Sequence, residues 1–108
     1  MQFGGITEVT ARDANSDATL LARIRAGDAV ALATVYRRRS AAVFRFACLH
    51  APSREAAADA TQETFLWLAM NRATTFDPNQ GSLAAFLCGV ARNHVLRICA
   101  ADARYDAP

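Results

Sequence analysis

Residues 57–70 read AADATQETFLWLAM, and this stretch decides the fold. A polar segment, Asp59 to Glu63, stands directly before an apolar segment, Phe65 to Leu68. The spacing is that of an amphipathic helix, in which residues three and four apart share a face. The stretch therefore predicts a helix that is anchored by apolar side chains and presents a compact polar patch.

On the N-terminal side of this stretch, capping residues predict two more helices. Asp17 is a suitable N-cap for a short helix that ends at Gly27, and Asp28 is a suitable N-cap for a long one. Apolar residues recur near one face of the long helix, and Arg37 to Arg39 fall on its outer side. We expect the inward-facing residues of this helix to be Leu32, Val35, Tyr36, Val43, Phe46 and Leu49.

Pro52 and Ser53 separate the long helix from the central one, which we expect to run from about Ser53 to Ala73. The loop TTFDPNQGS follows at residues 74–82, and its Ser82 caps a fourth helix. The residues of this helix that we expect to face mostly inward are Leu83, Phe86, Leu87, Val90, Ala91, Val95 and Ile98. With no strand pattern, the chain is predicted to be all-α, a compact bundle of four helices, three of them long.

The length and composition indicate one domain. A chain of 108 residues with 53% hydrophobic residues can bury a single core. We expect a flexible N-terminal tail over residues 1–16, the helical domain over 17–104, and the start of a linker or a truncated end over 105–108.

Several classes of protein are disfavoured. There is no apolar run of about 18 residues that could span a membrane, and the N-terminus lacks a secretory pattern, which favours the cytoplasm. The three cysteines have no CxxC spacing and neither histidine lies in a metal-binding pattern, so no metal is expected. Without a glycine-rich phosphate loop or a catalytic constellation, we expect no cofactor and no enzymatic activity.

Three stretches in this order resemble one family. Residues 59–66, DATQETFL, look like the "ED-x-x-Q-E-T-F" signature of bacterial sigma factors of the extracytoplasmic-function group. Residues 76–93, FDPNQGSLAAFLCGVARN, resemble the "FDP-x-RGS-xxx-WL-xx-IARN" signature of that group, and residues 26–47 resemble its opening segment. The resemblance extends from Asp17 to about Ala101 and corresponds to region two of these factors.

The resemblance implies two binding surfaces. In the family, the third helix of region two holds a coiled-coil pair of helices on the β′ subunit of the RNA polymerase core, and this role falls on Asp59, Gln62 and Glu63. The last loop and helix recognise and melt the minus-ten promoter element by binding its non-template single strand. The residues to which this DNA-binding role is carried over are Phe76, Asp77, Pro78, Asn79, Gln80, Gly81, Ser82 and Asn93. Arg92 and Arg97 are DNA-binding candidates because their guanidinium groups could contact phosphates. His94 is a further candidate for phosphate contact, although a histidine there is more often an ordinary surface residue.

The chain also departs from the family pattern. Ala56, Ala57 and Ala58 stand where many members carry an acidic run, which leaves Asp59 as its last carboxylate. Phosphorylation of Thr61 by a serine/threonine kinase would add about −1.5 to −2 charges there, and a subgroup of the family is thought to be switched on in this way. Thr64 is the rival acceptor.

Other replacements are Trp67 for a basic residue, Gln80 for the loop arginine, Phe86 for a tryptophan, Arg97 for an aspartate and Ala100-Ala101 for a basic pair. The last of these predicts weak binding of free DNA.

Alternatives stay open at this point. Thr61 is equally compatible with a β-branched residue packed at a helix face. An anti-sigma factor is a further partner that the resemblance allows. A helical adaptor that uses the same acidic surface to bind proteins, without touching DNA, is the alternative function.

Overall fold

The computed structural model describes residues 16–71, 76–77 and 81–106, and all the regular structure in these ranges is α-helical. The helices are α1 (Asp17–Arg25), α2 (Ala29–His50), α3 (Arg54–Asn71) and α4 (Leu83–Asp106). Helices α2, α3 and α4 pack against one another, and α1 packs against α2. The prediction of an all-α bundle of four helices, three of them long, is confirmed.

The N-cap of α1 is Ser16, not Asp17. The Ser16 hydroxyl accepts a hydrogen bond from the backbone N–H of Thr19 at 3.1 Å. Asp17 is instead the first helical residue, and its carboxylate lies 2.7 Å from the guanidinium of Arg39 on α2. This ion pair corrects a second expectation, because Arg39 is half-buried rather than solvated on the outer side of α2.

Gly27 and Asp28 form the turn between α1 and α2, as the sequence predicts. Gly27 has a φ of 91°, a left-handed conformation that glycine adopts without steric cost. Asp28 then caps α2 by accepting from the N–H groups of Val30 at 2.9 Å and Ala31 at 3.2 Å. The guanidinium of Arg23 also contacts this carboxylate at 2.9 Å, and these hydrogen bonds lower the pKa of Asp28.

Two serines start the remaining helices as expected. Ser53 accepts from the N–H of Ala56 at 3.1 Å, and Ser82 accepts from the N–H of Ala85 at 3.1 Å. The expected end of α3 at residue 73 lies outside the described residues, as does the expected tail over residues 1–16 apart from Ser16. Helix α4 continues to Asp106.

The core has a main cluster and a smaller one. The main cluster contains Leu20, Leu21, Ile24, Ala31, Val35, Val43, Phe65, Leu68, Phe76, Leu83, Leu87 and Ala91. The smaller one, Ala47, Ala57, Ala60 and Val95, allows α2, α3 and α4 to approach closely through small side chains. Two residues expected inside are exposed, Tyr36 at 49% and Leu49 at 80%.

Contrary to the expectation that no apolar run is long enough to span a membrane, the segment Leu83–Ala103 of α4 is long and apolar enough by length and composition. In this fold, Leu83, Leu87 and Val95 are buried against the other helices. A core helix of a soluble bundle has the same composition, so this segment is weak support for a membrane span.

Candidate functional site

The polar patch predicted on the central helix is at the surface. Asp59, Gln62 and Glu63 are all exposed on α3, while Ala60 and Phe65 of the same helix are buried. Residues 59, 62 and 63 are three and four apart, so their side chains share one face of the helix. We call these three residues the acidic face. The helix that carries them is anchored in the bundle by buried residues on its other side, including Ala60 and Phe65.

The alanines before Asp59 are not equivalent. Ala56 and Ala57 are buried, and Ala57 lies in the small cluster between α2, α3 and α4. Ala58 is exposed. A carboxylate would be solvated at position 58 and desolvated at position 57. The absence of an acidic run therefore removes surface charge next to the acidic face mainly at Ala58.

Thr61 and Thr64 are buried, with exposures of 7% and 0%. Each hydroxyl donates to the carbonyl oxygen one turn earlier, Thr61 to Ala57 at 2.8 Å and Thr64 to Ala60 at 2.7 Å. A kinase needs an accessible hydroxyl, and neither threonine offers one in this conformation. This burial favours the alternative reading, in which Thr61 is a packed β-branched residue.

An open groove of about 680 Å³ lies beside the acidic face, between α2 and α3. Gln62 and Leu66 line it from α3, and Tyr36 and Arg37 line it from α2. The Tyr36 ring packs edge to face against the Phe65 ring, with the ring centroids 5.0 Å apart. Both residues line the groove. Sequence reasoning missed this groove. Its signal was the run of four apolar residues from 65 to 68, which cannot all face inward on one helix.

We call residues 72–82, between α3 and α4, the connector; of its described residues, Phe76 is buried in the core. Phe76 is 6% exposed, and its ring packs against Phe86 with centroids 5.1 Å apart. Its carbonyl oxygen accepts from the Arg25 guanidinium at 3.2 Å. The Phe76 ring is part of the main core cluster and positions the connector. A DNA contact by Phe76 stays a prediction.

The other connector candidates divide into described and undescribed residues. Asp77, Gly81 and Ser82 are exposed, and the Ser82 hydroxyl is occupied as the cap of α4. Pro78, Asn79 and Gln80 lie outside the described residues. The exposed backbone at the start of α4 is therefore the part of this predicted site that the structure describes.

The candidates on α4 lie farther along the helix. Arg92, Asn93 and Arg97 are exposed, as predicted. Asn93 is about 16 Å along the helix axis from Ser82, since each helical residue adds about 1.5 Å. A single extruded base could not contact both Ser82 and Asn93. A DNA strand that contacts both residues must therefore span more than one nucleotide.

His94 lies among these residues, with its ring half-buried. The Nδ1 atom is 3.0 Å from Nη2 of Arg97, and Nε2 is buried without a hydrogen-bond partner. Burial lowers the pKa of His94, the positive charge of Arg97 lowers it further, and the carboxylate of Glu63 acts in the opposite direction. Glu63 of the acidic face thus acts electrostatically on His94 of α4.

The described residues contain no group of three or more His, Cys, Asp or Glu side chains that could hold a metal ion. Cys48, Cys88 and Cys99 are free thiols, and burial raises the pKa of Cys88, which favours its protonated form. The described residues thus present an acidic face and a groove between α2 and α3, together with exposed basic residues on α4.

Comparison with known proteins gives one positive result. Residues 35–105 match the family described as Sigma-70 region 2. Neither the curated proteins nor the solved structures include a match to the chain. The family points to a role in transcription initiation, with the RNA polymerase core and promoter DNA as partners, and it is not a family of enzymes. Because the match covers most of the chain, including α3, the connector and α4, this protein belongs to the Sigma-70 region 2 family.

Proposed function

We propose that the acidic face and the adjoining groove bind the coiled-coil helices of the polymerase β′ subunit. The observation that carries this proposal is the simultaneous exposure of Asp59, Gln62 and Glu63 on a helix whose opposite side is buried. Carboxylates make their strongest hydrogen bonds with arginine, and an amide between them adds a donor and an acceptor. A basic partner helix would therefore meet charge at the acidic face and apolar surface in the groove.

The connector and the exposed face of α4 bind the non-template strand of the minus-ten element in this proposal. Arg92 and Arg97 supply positive charge for phosphates, and Asn93 supplies a hydrogen-bonding amide for a base edge. Extruding a base costs a few kcal/mol and requires a site that receives it. Support comes from the exposure of these side chains and from the anchored connector at the start of the same helix.

Phosphorylation of Thr61 is not part of this proposal, because the hydroxyl is buried and bonded to Ala57. It would require the middle of α3 to open before the kinase could act. The kinase and the anti-sigma factor that the resemblance suggests stay predictions. The extracytoplasmic-function subgroup is part of our proposal, since it rests on the quoted motifs and not on the family match.

The polymerase contact is tested by measuring the affinity of the chain for the β′ coiled coil. Asp59→Arg should weaken binding about tenfold or more, because it places like charges across the interface and slows encounter. Asp102→Arg reverses an equally exposed charge near the end of α4 and should leave the affinity unchanged. Equal binding by wild type and Asp59→Arg would contradict the assignment of the acidic face.

The DNA contact is tested with polymerase core and a fluorescent non-template oligonucleotide that carries a minus-ten sequence. Asn93→Ala should reduce discrimination between promoter and scrambled sequences by about 1–3 kcal/mol, because it removes a base contact. Arg92→Gln should weaken binding to both sequences alike. If polymerase carrying the wild-type chain binds neither the promoter nor the scrambled oligonucleotide better than polymerase alone, the adaptor function replaces this proposal.

A further inference from the structure

His94 and Arg97 form a hydrogen-bonded pair on α4, with Nη2 of Arg97 3.0 Å from Nδ1 of His94. A guanidinium has only donors, so the imidazole must accept through Nδ1. The ring is then neutral and carries its proton on Nε2. The pair holds the Arg97 guanidinium along α4, against the half-buried ring one turn before it.

The surroundings of the ring maintain this neutral state. In this state the Nε2–H is buried without an acceptor, and a second proton, on Nδ1, would face the Arg97 guanidinium. The charged ring would therefore have no acceptor at either nitrogen. The charged groups that act on His94 are Arg97 from its own helix and Glu63 from α3. Burial and Arg97 lower the pKa of His94, whereas Glu63 raises it, and the net direction is downward.

We propose that His94 is a positioning residue for Arg97: its neutral imidazole holds the guanidinium against α4, and its protonation releases the guanidinium for contact with DNA phosphates. This inference rests on the proposed function, because it requires Arg97 to meet a DNA strand. Nothing in the sequence motifs assigns His94 this role.

The step consists of the uptake of one proton. Solvent delivers the proton to Nδ1, the hydrogen bond from Arg97 breaks, and the imidazolium has only N–H donors. Two cations then stand side by side, and each gains by meeting an anion. By thermodynamic reciprocity, a phosphate that binds Arg97 must raise the pKa of His94 by the corresponding amount.

The pair itself is tested by NMR titration of the His94 ring in the His50→Gln variant, which leaves one imidazole signal. The titration midpoint in the absence of DNA should lie below the ordinary histidine value of about 6.5. Arg97→Met removes both the donor and the charge, so it should raise the midpoint; Glu63→Gln should lower it. An unchanged midpoint in Arg97→Met would mean that the two side chains do not interact, which overturns the proposal.

The consequence for DNA is tested by fluorescence anisotropy with a labelled single-stranded minus-ten oligonucleotide between pH 8 and pH 5.5. Wild-type affinity should rise roughly tenfold as pH falls, the size of one charge-assisted contact. His94→Gln still offers an acceptor to Arg97 but cannot take up a proton, so its affinity should stay low throughout. His94→Ala offers no acceptor, so its affinity should be higher at pH 8 and nearly independent of pH.

The two proposals fail in different ways. If His94→Gln shows the same pH response as wild type, the positioning role is overturned while strand binding stands. If no variant binds the oligonucleotide at any pH, with or without polymerase, the DNA-binding function fails, and the release step fails with it. The NMR midpoints report on the pair in either case.

Discussion

Thr61 lies within the polar stretch of α3, yet it is only 7% exposed and lines an open pocket between α2 and α3 together with Tyr36 and Gln62. Residues 59, 62 and 63 are exposed and residues 60, 61, 64 and 65 are buried, as expected of one helix with two faces. The threonine hydroxyls tolerate burial because each donates to a backbone carbonyl of the preceding turn. A threonine hydroxyl in the sequence therefore does not by itself identify a phosphorylation site, because its position on the helix determines whether a kinase can reach it.

This burial gives a prediction about charge at position 61. Thr61→Glu should destabilise the fold by about 1–3 kcal/mol, because a carboxylate would be desolvated without a partner. Ala58→Glu adds the same charge one turn earlier on the exposed side of α3 and should leave stability within about 0.5 kcal/mol of wild type.

Urea unfolding followed by circular dichroism measures both free energies. Ala58→Glu should in addition strengthen binding to the β′ coiled coil, because it restores surface charge beside Asp59. If Thr61→Glu were as stable as Ala58→Glu, position 61 would tolerate a negative charge, and the prediction of phosphorylation there would gain support.

The connector between α3 and α4 depends on Phe76, which links it to the main core and to α1. Phe76→Ala should cost about 3 kcal/mol of unfolding free energy, near the lower limit for a buried phenylalanine, and Phe76→Leu about 1 kcal/mol. Leu96→Ala truncates a half-exposed apolar residue of α4 and should cost less than about 0.5 kcal/mol.

Phe76→Leu also distinguishes the acidic face from the proposed DNA-binding surface on the connector and α4. Under conditions in which Phe76→Leu is fully folded, affinity for the β′ coiled coil should match wild type, because the acidic face lies on α3. Oligonucleotide binding should fall, since the connector would be less well fixed at the start of α4. Equal loss of both activities in Phe76→Leu would contradict an independent role for the connector.

The helices were predictable from the sequence because their start signals are local. Asp28, Ser53 and Ser82 cap α2, α3 and α4 through hydrogen bonds that depend on the neighbouring residues alone. The cap of α1 was misplaced by one residue, since Ser16 and Asp17 are both good caps and sequence does not rank them. The choice follows from tertiary structure, because Asp17 is engaged by Arg39 of α2.

Burial was less predictable than helix position. The periodic pattern of α2 places Tyr36 and Leu49 near the apolar face, but α3 and α4 do not cover all of that face. Tyr36 consequently borders the groove, and Leu49 is exposed near the end of α2. Periodicity identifies the side of a helix that packs, whereas the extent of coverage depends on where its neighbours cross.

At the scale of the whole molecule, the acidic face was predictable because its members are close in the sequence. The link between Glu63 on α3 and His94 on α4 was not, because it arises only when these helices pack together. Small residues at the contact, including Ala57 and Ala60, bring the backbones close. The packing that closes the core thus also places the two candidate binding surfaces side by side.

The charge of the whole chain leads to a prediction about free DNA. A formal charge of +2 and two exposed arginines, Arg92 and Arg97, among the described side chains of α4 predict weak binding of single strands by the isolated chain, with a shallow salt dependence. Each phosphate contact on a single strand contributes about −0.7 to the slope of log affinity against log salt. Arg92→Gln should therefore make the slope shallower by about 0.7, whereas Asn93→Ala should lower affinity and leave the slope unchanged.

Anisotropy titrations from 50 to 300 mM salt at constant pH measure these slopes. Arg45→Gln removes an equally exposed arginine from α2 and is the matched control, because it has the same net charge as Arg92→Gln. If Arg45→Gln changed the slope as much as Arg92→Gln, strand binding would follow overall charge. A change confined to Arg92→Gln would instead place the DNA backbone along α4, where Asn93 could contact the bases.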